Sequence, residues 1–480
     1  MAGRNNRYDI IVVGAGSGGL GMSGVANAIG LKTLLIEQRE KNIGGDCLNY
    51  GCVPSKALIH ISKHFSHAVK ASRFGLDIKG KADISKVLTY VQEKQAVIRH
   101  HENAEYLRDQ GIDVVIGRAK FSSPTDIDVS GNRYTATKIV LATGSRPRHL
   151  QFAGLNQVEW YNNETLFYEM KSLPEKLLVV GGGPIGCEMA QAFQRLGSKV
   201  TIVNSGLNLL QRERPEISQI LTERFQLEGI IVHNSSKLIQ FPSPHEAEVL
   251  TKQGKIHVGL DAALIAIGRV INTEGMGLEK AGIKVEDGKI LVDNYLRTTN
   301  RKVYAVGDAA GMYKFSHGAE KHIRLLSRNF FLPFRKKHHT QDLSWVTFTD
   351  PEVATFGMTE EDLQRNGLNY WRQDQDLNSD DRAITDSYTY GRMSLFFTKR
   401  RWWRQQRLLG GTLIAPGAGE IIQELLLATN AGLPVKWIFA KVYPYPTASR
   451  INQKNVRGLR EALLTPFLKR VLRILYRWLG

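Results

Sequence analysis

With 480 residues, the chain is too long for one ordinary hydrophobic core and calls for about two to four domains. An apolar fraction of 42% beside 23% charged residues excludes a disordered chain, and no apolar run reaches the roughly 20 residues that cross a bilayer. The formal charge of +18 collects at Arg335 to Lys337, Lys399 to Arg407 and from Lys454 onward, and no nucleic-acid-binding motif accompanies it.

The start, MAGRNNRYDIIVVG, enters a strand without a signal-peptide core, so the protein is expected in the cytoplasm. Residues 8 to 30 read as a buried strand, a glycine-rich turn and a helix of small residues. Gly14 permits the tight turn, Gly16 lets backbone approach a pyrophosphate, and Gly19 lets helix and strand pack closely. Glu37 ends the following strand, where a carboxylate binds a ribose hydroxyl. A second strand, turn, helix and strand follow at residues 175 to 204, with Gly181, Gly183 and Gly186 in the same roles, so the chain has two dinucleotide sites.

Three cysteines cannot form a structural disulfide framework. Two of them, Cys47 and Cys52, lie in GGDCLNYGCVPSKALIH, spaced to close a short disulfide loop. Burial as two small apolar groups is the alternative. Lys56 and a helix expected to begin near Pro54 favour a thiolate at Cys52.

On this motif the chain resembles the class I pyridine nucleotide-disulfide oxidoreductases, the flavoproteins that include glutathione reductase, dihydrolipoamide dehydrogenase and mercuric reductase. The resemblance covers about residues 7 to 450 and continues through Gly117 to Ala119, LATGSRP with Thr143 and Gly144, AIGRVINTEG with Gly268, and VYAVGDAAG with Asp308. It implies an α/β fold of two Rossmann-like domains, for FAD and NAD(P), and a C-terminal α+β interface domain that builds a homodimer. It implies that Gly45 and Ala119 lie in the FAD site, that Asp308 binds the ribityl chain, and that Lys56 pairs with Glu188 near the flavin. Reduced nicotinamide then gives hydride to the flavin, which reduces a Cys47 to Cys52 disulfide. Cys52 is the flavin-contacting thiol and Cys47 the interchange thiol that meets the substrate. The expected boundaries are 1 to 150 for the first part of the FAD domain, 151 to 270 for the NAD(P) domain, 271 to 340 for the return to the FAD domain, 341 to 455 for the interface domain and 456 to 480 for a basic tail.

The pattern breaks in three places. Where the glutathione and lipoamide enzymes carry a histidine and, five residues on, a glutamate, VYPYPTASR has Tyr445 and Arg450. A tyrosine is a poor base near neutral pH but a good donor and a neighbour for a metal or quinone. Mercuric reductases resemble the chain in this tyrosine but add a C-terminal cysteine pair, which the tail here lacks. Interface packing is the other reading of Tyr443 and Tyr445. At the end of the second strand of the nicotinamide fold stand Asn204 and Ser205, neither an acid for NAD nor an arginine for NADP, with Arg212 and Arg214 nearby, so the choice of NADH or NADPH stays open. Finally, KRRWWRQQR interrupts an expected hairpin, and the tail places Phe467, Leu468, Val471, Leu472, Leu475, Trp478 and Leu479 on one helical face with Lys469, Arg470, Arg473 and Arg477 opposite. Such a helix, aided by Trp402 and Trp403, suits an anionic membrane surface, or else docks on its own domain or dimer mate.

Three functions compete. The first is a reductase passing electrons through both thiols to an unidentified disulfide, metal ion or thiol-reactive oxidant. The second is a membrane-associated dehydrogenase that reduces a quinone, and the third a catalytically silent redox-sensing or binding module. No metal cofactor and no nucleic-acid partner is expected.

Overall fold

The computed structural model describes residues 6–77, 80–312, 314–339, 343–399, 405–461 and 465–479. The chain divides into two compact units, Met1–Leu207 with Glu228–His339, and Asn208–Leu227 with Thr340–Gly480.

The first unit holds two sheets with parallel cores, one of which adds the antiparallel strands Asp126–Val129 and Lys120–Phe121 beyond Asn132–Leu141. In that sheet, strand Arg7–Val13 lies between Thr33–Glu37 and Asn132–Leu141, with Asp113–Ile116 outside Thr33–Glu37 and Val303–Ala305 beside Asn132–Leu141. Ile10 to Val13 and Leu34 to Ile36 are all buried, as expected of parallel strands covered on both faces. The second sheet runs Ile231–His233, Lys199–Val203, Lys176–Val180, Ala262–Ile265, Trp160–Tyr161 and is parallel throughout. In each sheet the first strand feeds a glycine turn and a helix, Ser17–Ala28 or Pro184–Leu196, so both turns sit at the carboxyl ends of strands, where α/β sheets bind ligands.

The second unit is built on an antiparallel sheet in the order Ser344–Thr347, Glu352–Gly357, Leu408–Ala415, Arg392–Thr398, Tyr370–Asp376, with helices Gln423–Asn430 and Arg450–Glu461. Arg392–Thr398 and Leu408–Ala415 form the expected hairpin. Trp402 and Trp403, between them, lie outside the described residues. Asn208–Leu227, within the span assigned by sequence to nicotinamide binding, groups with this unit instead. The physical reason is Glu213, whose carboxylate accepts hydrogen bonds from Trp345 Nε1 and Thr355 Oγ1, both at 2.6 Å.

Candidate active site

The first glycine turn is built by close approach. Gly14 has φ +101°, and a Cβ there would stand 2.4 Å from the Ala142 carbonyl oxygen. One on Gly19 would stand 1.7 Å from the Gly14 carbonyl oxygen. Gly45, at φ +60°, brings the cysteine-bearing segment against Gly16, whose Cα a Cβ would meet at 2.5 Å. Glu37 Oε2 accepts the Ala15 N–H at 2.8 Å, which fixes its carboxylate at the mouth of the turn. A cleft of about 330 Å³ follows, lined among others by Gly14, Glu37, Gly117, Ala119 and Thr143. Thr143 Oγ1 donates to the Asn272 carbonyl at 3.0 Å, and Gly144 accepts the Asn272 N–H, so this loop is held by the segment that follows Gly268. Asp308 sits in the one-turn helix Gly307–Ala310. Burial pushes its carboxyl above the usual range, against the hydrogen bond from Ser145. The close-approach glycines, the fixed carboxylate and the cleft suit an FAD: Glu37 for its ribose, the turn for its pyrophosphate and Asp308 for its ribityl chain.

The two cysteines lie on successive helices, Gly45–Asn49 and Cys52–Lys70. The long helix starts at Cys52 itself, two residues before the expected Pro54, so the Cys52 sulfur lies at its positive end. Both cysteines are free thiols, Cys52 exposed and Cys47 half-buried. A hydrogen bond between them, another with Ser316 Oγ at 3.5 Å and the charge of Lys56 lower the Cys52 thiol to about 6, against the partial loss of water around its sulfur. The bond with Cys52 and burial push the Cys47 thiol up. The two shifts run in opposite directions, toward a thiol at Cys47 and a thiolate at Cys52, as a thiol at a helix start beside a lysine favours. One turn on, Lys56 Nζ donates to Glu188 Oε2 at 2.8 Å, and Glu188 is buried. Ser316, 264 residues from Cys52, carries no motif and was not anticipated from sequence.

The second glycine turn repeats the first in outline. A Cβ on Gly181, at φ +118°, would meet the Ala266 carbonyl oxygen at 2.3 Å, and one on Gly186 would meet the Gly181 carbonyl oxygen at 2.0 Å, while Gly183 has nothing within 4 Å. Asn204 is buried, and its Nδ2 donates to Asn234 Oδ1 at 2.7 Å and the Gly206 carbonyl at 3.3 Å. Its amide is spent on its own turn instead of facing a ribose. Arg214 pairs with Glu216 and Glu360, whereas Arg212 is exposed.

Two family models match the chain: pyridine nucleotide-disulphide oxidoreductase over residues 8–323, and the dimerisation domain of the same family over residues 343–455. The chain belongs to the pyridine nucleotide-disulphide oxidoreductases. It is 32% identical to a dihydrolipoyl dehydrogenase of Thermus scotoductus over 95% of this chain and 96% of that one. It is 33% identical to a mercuric reductase of Streptomyces lividans over 92% and 94%. Among solved structures, the HOCl-induced flavoprotein disulfide reductase RclA from Escherichia coli, as its Cu(II) complex, matches with a TM-score of 0.82 at 25% identity, covering 94% of this chain and 99% of that one. This oxidoreductase is thus an FAD-dependent enzyme that transfers electrons from NAD(P)H through flavin to a disulfide, and it carries the dimerisation domain of its family.

In the second unit Tyr445 is 66% exposed, and the Arg450 guanidinium stands 5.0 Å from its ring centre. Tyr443 is instead buried and donates to Glu424, whose charge and the burial push the phenol up. The two tyrosines therefore differ: Tyr443 is a packed structural group, and Tyr445 an open one. The tail forms helix Pro466–Leu479 with no buried residue, and no described helix is long and apolar enough to cross a membrane.

Proposed function

We propose that Cys47 and Cys52 hand their electrons to a thiol-reactive acceptor, a soft metal ion or reactive oxidant, and not to a dithiol substrate that needs an acid-base relay. The observation that carries this is the Tyr445 and Arg450 pair. A phenol stacked under a permanent cation offers a donor and a fixed charge, but no imidazole to cycle between protonation states. Mercuric reductases and an HOCl-induced reductase with a Cu(II) complex among the relatives support this acceptor class, while the dihydrolipoyl dehydrogenases among them stand for the dithiol alternative.

When bound, a flavin would supply two-electron transfer from reduced nicotinamide to the disulfide. In this reading Glu37 and Asp308 hold the cofactor, and Lys56, steadied by Glu188, keeps positive charge beside Cys52. Two electrons and one proton convert the disulfide into a Cys47 thiol and a Cys52 thiolate, the state toward which the two perturbed thiols already lean. A soft metal ion taken by both sulfurs displaces the Cys47 proton. The C-terminal domain pairs two such chains, and Tyr445 then serves the acceptor side of the site.

The test is NADH and NADPH oxidation with Cu(II), lipoamide and a short-chain quinone as acceptors, in wild type, Cys47→Ser and Tyr445→His. Cu(II)-dependent turnover lost in Cys47→Ser, with lipoamide poor until Tyr445→His, is the expected result. Quinone reduction that survives Cys47→Ser would move the assignment to a quinone dehydrogenase with auxiliary thiols.

A second reading concerns the tail. We infer that helix Pro466–Leu479 lies on an anionic lipid surface. Phe467, Trp478 and Leu479 are 76%, 87% and 86% exposed, four cations and no acid share the helix, and the family match ends before it, at residue 455. Each cation near an anionic surface contributes about 1 kcal/mol, and the apolar face adds to it. Deleting residues 463 to 480 should leave flavin content unchanged and abolish salt-sensitive flotation with phosphatidylserine vesicles. Equal flotation of both forms would reject the lipid contact.

A further inference from the structure

Beyond its thiol and Lys56, helix Cys52–Lys70 carries three exposed histidines, His60, His64 and His67. His60 and His64 are four residues apart, which puts both on one face of the helix, and their Nε2 atoms lie 3.1 Å from each other. The ring centres are 4.5 Å apart and the planes cross at 89°. The ring of Tyr90, on helix Ile84–Arg99, lies nearly parallel to His60, at 6.2 Å and 16°. Among the described residues neither ring makes a further hydrogen bond, so no bond fixes which of its nitrogens carries the proton. A second histidine pair gives the contrast. His322 and His338 also bring their Nε2 atoms together, at 3.3 Å, but His322 Nδ1 accepts the Gly307 N–H, which obliges the proton onto its Nε2 and makes that contact a hydrogen bond. In the pair of His60 and His64 both protons can sit on Nδ1, and each Nε2 then offers a lone pair.

Two imidazole nitrogens 3.1 Å apart, each about 2.0–2.1 Å from a shared ion, subtend about 95–100° at it. That angle lies between the right angle of a square-planar or octahedral ion and the tetrahedral angle. We propose that His60 and His64 form a two-imidazole site for a divalent first-row transition ion. The ligand type sets the class: neutral nitrogens suit Cu(II), Ni(II) and Zn(II) and not the oxygen-seeking magnesium or calcium, and Cu(II) binds such sites most strongly in the series. Among the described residues no group of three or more His, Cys, Asp or Glu could hold a metal ion, so within one chain water fills the remaining positions. An open pair of this kind holds an exchangeable ion, whereas a structural site closes four protein ligands round one. The site is also separate from the thiols. His60 lies more than two turns along the helix from Cys52, an axial rise of about 12 Å, which no single ion bridges.

Both thiols are removed first, so that the histidines are read alone and the outcome is independent of any metal chemistry at the cysteines. Holoenzyme carrying Cys47→Ser and Cys52→Ser is titrated with Cu(II) by equilibrium dialysis, and the bound ion is examined by electron paramagnetic resonance. One ion per chain, with splitting from two imidazole nitrogens, is expected. Adding His60→Asn or His64→Asn should weaken binding by about tenfold or more and leave the splitting of one nitrogen at most, because two linked ligands act as one chelate. Adding His67→Asn should leave binding as in the parent. Affinity and spectrum unchanged by His60→Asn or His64→Asn would overturn the proposal, and so would an equal loss in His67→Asn, which marks a diffuse histidine surface. Should either variant lose its flavin, diethyl pyrocarbonate labelling of the parent decides, read by peptide mass spectrometry with and without Zn(II). Protection of His60 and His64 together upholds the pair, and full labelling of either overturns it.

Discussion

The two glycine turns of the first unit are the same device used to different ends. Both pack their third glycine against the carbonyl of the first, at 1.7 Å and 2.0 Å for an added Cβ. They differ in what surrounds the middle glycine and in what ends the next strand. Gly16 is approached by Gly45, whereas Gly183 has open space within 4 Å. Glu37 presents a carboxylate fixed by the Ala15 N–H, whereas Asn204 folds its amide inward onto Asn234. The first turn is thus closed in by the cysteine segment and suits a cofactor that stays. The second is open and suits a nucleotide that comes and goes. Cofactor retention, on this view, comes from tertiary closure added to a common turn, since the turn alone is identical in kind.

The strongest way to break this comparison is to damage the shared element in each copy. An added methyl at Gly19 or Gly186 forces helix and strand apart, at about 1–3 kcal/mol or more. Gly19→Ala is expected to yield protein with most of its flavin gone. Gly186→Ala should keep its yellow colour but lose at least tenfold in the rate of reduction by NADH and NADPH. Flavin-to-protein ratios and anaerobic stopped-flow traces decide it, and a shared phenotype would dissolve the distinction between a resident and a visiting nucleotide.

The next effect is smaller and concerns the strand ends. Removing the Glu37 carboxylate loses a charged hydrogen bond of about 1.5–3 kcal/mol, so Glu37→Ala should release FAD with a dissociation constant about ten- to a hundredfold higher. The matching change in the second fold behaves otherwise. Asn204→Asp installs the acid associated with NAD, but it also replaces an amide donor facing Asn234 Oδ1 and the Gly206 carbonyl with a second acceptor. The expected outcome is a melting temperature lower by several degrees and no gain in NADH over NADPH. A clear gain in NADH preference at unchanged stability would show that Asn204 turns outward when the nucleotide binds.

Much of this was legible in the sequence because the informative residues act locally. A glycine at φ +101° or +118° announces its turn whatever the rest of the chain does, and Cys47, Cys52 and Lys56 fall within ten residues of one another. What stayed hidden depends on distant partners. Nothing near Glu213 tells that Trp345 and Thr355 will bury its carboxylate and group Asn208–Leu227 with the C-terminal unit. Nothing near Cys52 announces Ser316. The helix start was misjudged by two residues for a local reason: Pro54 is a good first-turn residue, and it occupies the third position of a helix that already begins at Cys52.

The smallest expected difference between the two folds is in acid. Each has a histidine behind its strand ends. His322 is fully buried, and its Nδ1 accepts the Gly307 N–H at 3.1 Å beside Asp308, while His233 is half-buried and accepts the Asn204 N–H through its carbonyl. Burial, followed by the His338 and Lys321 charges, lowers His322 to about 4 from an ordinary 6.5. Burial also lowers His233. A base with a depressed folded pKa binds fewer protons folded than unfolded between the two values. Its contribution is therefore complete above about pH 6.5 and is lost progressively as pH falls toward 4. Because the His322 ring nitrogen itself holds Gly307, the loss should appear first at the flavin. From pH 7.5 to 5.5, FAD release should quicken several-fold while the affinity for reduced nicotinamide changes less, and His322→Gln should flatten the flavin slope. A steeper acid dependence on the nicotinamide side would place the pH-sensitive histidine in the second fold instead.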